Sequence, residues 1–355
     1  MEATNVQRFS VTLLAIGFGL FGQNASAQSV EAGQDFLKSL GSEAADNATF
    51  DFDDEKERKD WSNLPARMHH RNGVGFGEMN DAQKIAAYRL LETGLSSQGY
   101  GKVAGVMRLD DVWAEVVDQR SAGRGSAMFG SDKYWMAVFG NPDAAKPWGW
   151  QLDGHHLGVN FTSVNGTHIL TPMFFGAEPD VVLEGPSAGW RIFAAERAKA
   201  FALINSFNNE QEAAAVLSDK IPDAIFEGPG AEGALDKMEG IRASQLDDDQ
   251  RALLWSLIDE YLNNAPQATA AAQRTKIVAD GDDQLFFAWM GPIDEKDNIY
   301  FRIHGPSVVI EYDNVFAGGR RDGYSNHIHT ILREPSNDYG DDLLRKHYAE
   351  SDHHR

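Results

Sequence analysis

Two stretches of the chain carry histidines at spacings that suit a metal ion. NHIHTILR (326–333) holds His327 and His329, and WGWQLDGHHLGVNFT (148–162) holds His155 and His156. Strand side chains alternate between faces, so an H-x-H pair points two imidazoles the same way, roughly 6.5–7 Å apart along the strand. Each imidazole then offers one ring nitrogen to a shared ion. Adjacent histidines behave differently. In a regular strand His155 shares the apolar face of Leu157, Val159 and Phe161, while His156 shares the polar face of Gly158, Asn160 and Thr162. A bulge after Gly154 would turn the two together.

The expected metal set is therefore His155, His156, His327 and His329, around one divalent transition metal. His156, His327 and His329 are the direct ligands, and His155 is a buried, hydrogen-bonded imidazole that orients its neighbour. Glu311 is expected as a fourth ligand or general base. Arg333 and Asp338, in REPSNDYG (333–340), are expected beside the site as anion clamp and supporting carboxylate, although Asn337, Asp338 and Gly340 also make good turn chemistry. His304 is a reserve ligand. His69 and His70 sit among arginines and read as solvated, and His353 and His354 belong to a polar tail.

Three protein ligands and one open position describe an ion that acidifies water or polarises a carbonyl. Without cysteine, zinc, copper, iron and manganese all fit such a donor set. The leading expectation is an exported metal-dependent hydrolase acting on a small or polymeric substrate. A copper- or iron-dependent oxidoreductase is the first alternative. A non-catalytic periplasmic binding protein for metal or a small ligand is another, and a structural role with merely buried histidines is the last.

The elements that must position these residues follow from periodicity. MNDAQKIAAYRLLETGL (79–95) places Ile85, Tyr88, Leu91 and Leu95 at helical spacing, with Asn80 or Asp81 as cap. A second helix is expected over 102–119. Strands are expected at 133–140, 148–153, 155–162 and 168–175, where aromatic and β-branched residues are punctuated by glycine. Helices return at 188–206, 209–218 and 246–263, with a loop over 222–240. Strands follow at 284–290, 299–304, 307–313 and 326–333.

This order repeats. Residues 134–164 align with 285–315 at a constant offset of 151, which brings Gly140 onto Gly291, Asp143 onto Asp294 and Gly154 onto Gly305. THILT (167–171) matches NHIHT (326–330). The expected fold is α+β: two pseudo-repeated halves, each a helical part plus an antiparallel sheet, packed into one compact body. The divisions are a 1–27 signal peptide, a polar lead-in at 28–64, halves at 65–220 and 221–340, and a polar tail at 341–355.

The first segment reads as a secretory leader. Arg8 precedes the apolar run 11–22, and Ala25-Ser26-Ala27 supplies small residues for cleavage near Gln28. The run is too short to span a bilayer, which takes about 20 apolar residues. A periplasmic or secreted location follows. The 355-residue chain has no cysteine, which excludes disulfides, thiolate metal sites and cysteine nucleophiles. A net charge of −21 repels nucleic acid. A small-molecule or carbohydrate-like ligand is left as the expected partner, although Trp148, Trp150, Phe174 and Phe175 read first as core. No Walker A or H-E-x-x-H pattern occurs.

GHH followed by an alternating strand, then TPMFFGAEP, then HIHTILREPSNDYG, resembles the bacterial proteins grouped as domain of unknown function 3500. The resemblance spans about 65–350. It implies no established activity, but it supports treating His155, His156, His327 and His329 as one functional set.

Overall fold

A computed structural model describes residues 14–121, 123–316 and 326–350. The helices are α1 (Leu14–Leu40), α2 (Ser42–Ala48), α3 (Glu55–Lys59), α4 (Asp81–Gly94), α5 (Ser97–Ser121), α6 (Gly125–Met128), α7 (Ala194–Ile204), α8 (Asn209–Ala215), α9 (Asp248–Leu262), α10 (Gln267–Asp280) and α11 (Asp341–Glu350). The strands are β1 (Thr49–Phe50), β2 (Val74–Gly75), β3 (Tyr134–Phe139), β4 (Trp148–Gly154), β5 (Leu157–Val164), β6 (Thr167–Ile169), β7 (Met173–Ala177), β8 (Val216–Ser218), β9 (Ile241–Arg242), β10 (Phe286–Met290), β11 (Tyr300–Gly305), β12 (Val308–Phe316) and β13 (Asn326–Arg333).

All the strands join one largely antiparallel sheet, in the order β1-β3-β4-β5-β7-β13-β12-β11-β10-β8, with β2, β6 and β9 paired at the side. Only the outer pairs β1–β3 and β8–β10 are parallel. The architecture is α+β, as expected. The run β3-β4-β5-β7 meets the run β13-β12-β11-β10 at the β7–β13 ladder, where His329 faces Gly176 and Thr330 faces Phe175.

One face of this sheet is apolar. Trp150, Leu152, Val159 and Phe161 continue through Phe175, Leu332, Ile310 and Phe301 into a single core with Leu90 and Leu91 of α4, Val106 of α5, Phe201 of α7 and Leu257 of α9. Period-2 alternation supplies the sheet side and helical spacing supplies the other. Helix starts are fixed by reciprocal capping: Asn80 with Gln83 opens α4, and Asp247 with Gln250 opens α9. Phe36 and Leu40 of α1 are buried in the same core, so the 28–64 lead-in contributes to it.

The opposite face is polar yet largely buried. It carries Gln151, Asp153, Asn160, Glu311, Asp313, Arg302 and Arg333, each at most 3% exposed. Segments 51–72 and 219–240 pack on it: Arg71 pairs with Asp153 at 3.1 Å, and Glu311 receives the amides of Phe226 and Glu227. The tail helix α11 follows.

Three expectations shift. The strand expected over 168–175 is broken at Pro172 into β6 and β7, both paired to β5. The segment expected as helix over 209–218 turns at Val216 into β8. Helix α10 was not foreseen, although its Ala-rich stretch after Pro266 holds strong helix formers. The leader reading falls partly on residues 1–13, outside the described residues, as do His353 and His354, and its remainder lies in α1. No helix among the described residues is long and apolar enough to cross a membrane.

Candidate metal centre

The β4–β5 hairpin turns through two residues, His155 and His156, between the paired ends Gly154 and Leu157. His156 adopts φ 59°, a left-handed conformation uncommon for residues other than glycine, in which Asn, Asp and His are enriched. The histidines are therefore turn residues and do not alternate across a strand. Their rings stack with centroids 3.9 Å apart. The tight turn accomplishes what a bulge was expected to do.

The hairpin tip lies across β7 from β13. Gly176 donates its amide to the carbonyl of His156 at 2.7 Å and faces His329 in the β7–β13 ladder. A Cβ at position 176 would lie 2.8 Å from Cγ and Cδ2 of His156. The missing side chain is thus the space that His156 occupies. His156 reaches over the strand, stacking on His327 at 5.5 Å and meeting His329 edge-on at 5.2 Å. His327 and His329 are 4.7 Å apart, centroid to centroid. One ring nitrogen from each of His156, His327 and His329 lies within 4.8 Å of the other two. A tetrahedral ion with ligands at about 2.1 Å places nitrogens roughly 3.4 Å apart, so a small closure of the rings suffices.

Carboxylates stand behind the imidazoles. Asp110, projecting from α5, binds His155 Nδ1 at 2.6 Å with both side chains buried, and it also accepts the Gly130 amide at 2.8 Å. The Tyr134 hydroxyl donates to the carbonyl of His155 at 2.8 Å. Asp313 lies directly opposite His329 in the β12–β13 ladder, with 3.8 Å between its Oδ1 and His329 Nδ1. Its Oδ2 is buried without a hydrogen-bond partner among the described residues. The hydrogen bond to Asp110 gives His155 a fixed tautomer and a more basic second nitrogen.

Burial sets the electrostatics. It pushes His156 well below the ordinary imidazole range, helped by the neighbouring histidines. His329 is lowered in the same way. Asp313 is pushed up to about 8 by burial, with Glu311 adding to the rise. Neutral imidazoles beside a carboxylate that resists ionisation form an environment a cation would relieve on both counts.

Glu178 was not singled out in the sequence. It follows β7 in TPMFFGAEP, and its carboxylate, one nitrogen of His155 and one of His156 lie within 4.8 Å of one another. Its signal was its place two residues beyond Gly176.

The other expected site residues form a separate cluster. Glu311 pairs with Ile331 in the ladder, two residues along from the Asp313–His329 pair. Its carboxylate accepts the amides of Phe226 and Glu227 and the Tyr300 hydroxyl, at 2.8, 2.7 and 2.6 Å. Arg333 stands four residues from His329, roughly 13 Å along the strand. It donates to the carbonyls of Glu227 and Gly228 and to Asp338 at 2.8 Å, and it is 1% exposed. Arg333 and Asp338 do meet, but as an anchor for the 225–235 loop. His304 faces Val309 of β12 and Phe286 of β10, on a strand two places from β13 in the sheet. His69 lies 3.2 Å from Asp60.

Residues 22–341 match the family described as "Protein of unknown function (DUF3500)", and the chain belongs to it. No curated protein and no solved structure matches the chain.

Proposed function

We propose that this DUF3500 protein is a metal-dependent enzyme whose ion is held by His156, His327 and His329, most simply a hydrolase using metal-activated water. The observation that carries the reading is the convergence of three imidazoles from two distant segments, with Asp313 beside His329. Such an ion lowers the pKa of bound water to about 7. His327 and His329 are only partly buried, which leaves a way in from solvent. Glu178 lies nearer the imidazoles than Glu311, whose carboxylate accepts three hydrogen bonds in a separate cluster. Arg333 belongs to loop anchoring in this reading, with Asp338 as its partner.

An all-imidazole donor set also suits copper or iron, and an oxidoreductase is the second reading. We read the leader pattern as a signal for export, and the mirrored strand order as a duplication whose seam is the β7–β13 ladder.

Elemental analysis tests the site. Purified wild type should carry or take up transition metal, and the His327→Ala/His329→Ala variant should hold at least one ion fewer per chain. Equal metal in both would remove the site. Hydrolase screening with and without chelator then tests the chemistry.

A further inference from the structure

We infer that the histidine patch holds two divalent ions, the second between His155, His156 and Glu178. This rests on the reading of His156, His327 and His329 as a metal site. His156 is the middle layer of a stack, with the His155 ring at 3.9 Å and tilted 26°, and the His327 ring at 5.5 Å and tilted 20°. It belongs to both groups of close ligand atoms. To serve both ions, His156 would bind as an imidazolate, one ion at each ring nitrogen in the ring plane, with its N–H proton released to solvent.

The His155 side is built as a ligand site. Asp110 takes the Nδ1 position at 2.6 Å, which leaves Nε2 as the nitrogen able to bind a metal. The pair is rigid: Phe129 packs against the ring at 4.8 Å, and Tyr134 holds the backbone carbonyl at 2.8 Å. Carboxylate-backed histidines of this kind are typical of metal ligands. Glu178 adds an oxygen donor and the negative charge that a second cation next to the first requires. Its position is fixed by the end of β7, immediately beyond the Gly176 gap that lets His156 cross. A site with one carboxylate and two imidazoles tolerates harder ions than an all-imidazole site does.

The test is stoichiometry with cobalt(II) or zinc(II) alone, by titration and elemental analysis of the full chain. Wild type should bind two equivalents. Glu178→Gln should bind one, and His327→Ala/His329→Ala should also bind one. Wild type saturating at one equivalent, with loss in His327→Ala/His329→Ala, overturns the second ion and leaves the first intact. No loss in that double variant overturns the first site itself. Two equivalents retained in Glu178→Gln would also overturn the assignment. If Glu178→Gln does not fold, His155→Gln serves in its place, and the wild-type count decides alone if neither folds.

Discussion

The two long hairpins of the sheet end very differently. In β4–β5 the tip is Gly154-His155-His156-Leu157, and in β11–β12, offset by 151 residues, it is Gly305-Pro306-Ser307-Val308. The first tip is buried, with His155 3% and His156 5% exposed, and α5 backs it with Asp110. The second is open to solvent at Pro306, and its Ser307 amide donates to Asp280 at 3.0 Å. Near the open tip the charged side chains are saturated by one another, through Arg333, Asp338 and Glu232. Near the buried tip several imidazoles lie together with carboxylates behind them. The two hairpins thus carry a mutually saturated charge cluster near one tip and converging imidazoles near the other. Burial of polar groups persists where they are mutually satisfied or where a ligand satisfies them.

The largest effect should come from breaking the charge cluster. Arg333→Met leaves buried Asp338 with the Glu334 amide but without its cationic partner and should cost about 3–5 kcal/mol in urea unfolding. Metal content should not change. Loss of metal in a folded Arg333→Met would show that the two ends are not independent.

Next come the hairpin glycines. A Cβ at Gly154 would meet Tyr134 Cδ1 at 2.2 Å, whereas at Gly305 the nearest atom is 3.3 Å away. Gly154→Ala should therefore cost about 1–3 kcal/mol, typical of overpacking, and weaken metal binding by displacing the Tyr134 hydroxyl from the His155 carbonyl. Gly305→Ala should cost less and leave the metal alone. Equal losses in thermal melts would erase the distinction between the tips.

Asp110→Asn should weaken metal binding by about 10–100-fold, since the amide still reaches His155 but no longer fixes a basic Nε2. Competition with a chelator measures it. Unchanged affinity would make Asp110 a purely structural partner of Gly130.

The smallest effect is on pH dependence. His329 is neutral in the folded protein well below the ordinary imidazole pKa of about 6.5, while the unfolded chain protonates there. The unfolded state then binds more protons, so stability of the metal-free protein falls as pH drops below about 6.5. His329→Gln removes one such proton. Its stability should fall less steeply in that window, by up to about 1.4 kcal/mol per pH unit. Parallel curves would mean that His329 is not neutralised by burial.

Part of this site was legible in the sequence. The H-x-H spacing alone places His327 and His329 on one face, because strand periodicity is strict. That His156 joins them was not, because it depends on a left-handed turn residue and on Gly176, a glycine in another strand. Glu311 was chosen as the cross-strand carboxylate, but the register sets Asp313 opposite His329, and register is fixed by hairpin closure rather than by residue type. Helices α4 and α9 announced themselves through capping boxes and apolar stripes. Sheet order could not be read at all: the β7–β13 ladder joins segments about 150 residues apart, and nothing local encodes it.

The most direct measurement is X-ray absorption at the metal edge of zinc-loaded protein. The account predicts a first shell containing nitrogen at about 2.0–2.1 Å with imidazole scattering that is lost in the His156→Ala/His327→Ala/His329→Ala variant. A shell of oxygen alone, or a spectrum unchanged in that variant, would contradict it.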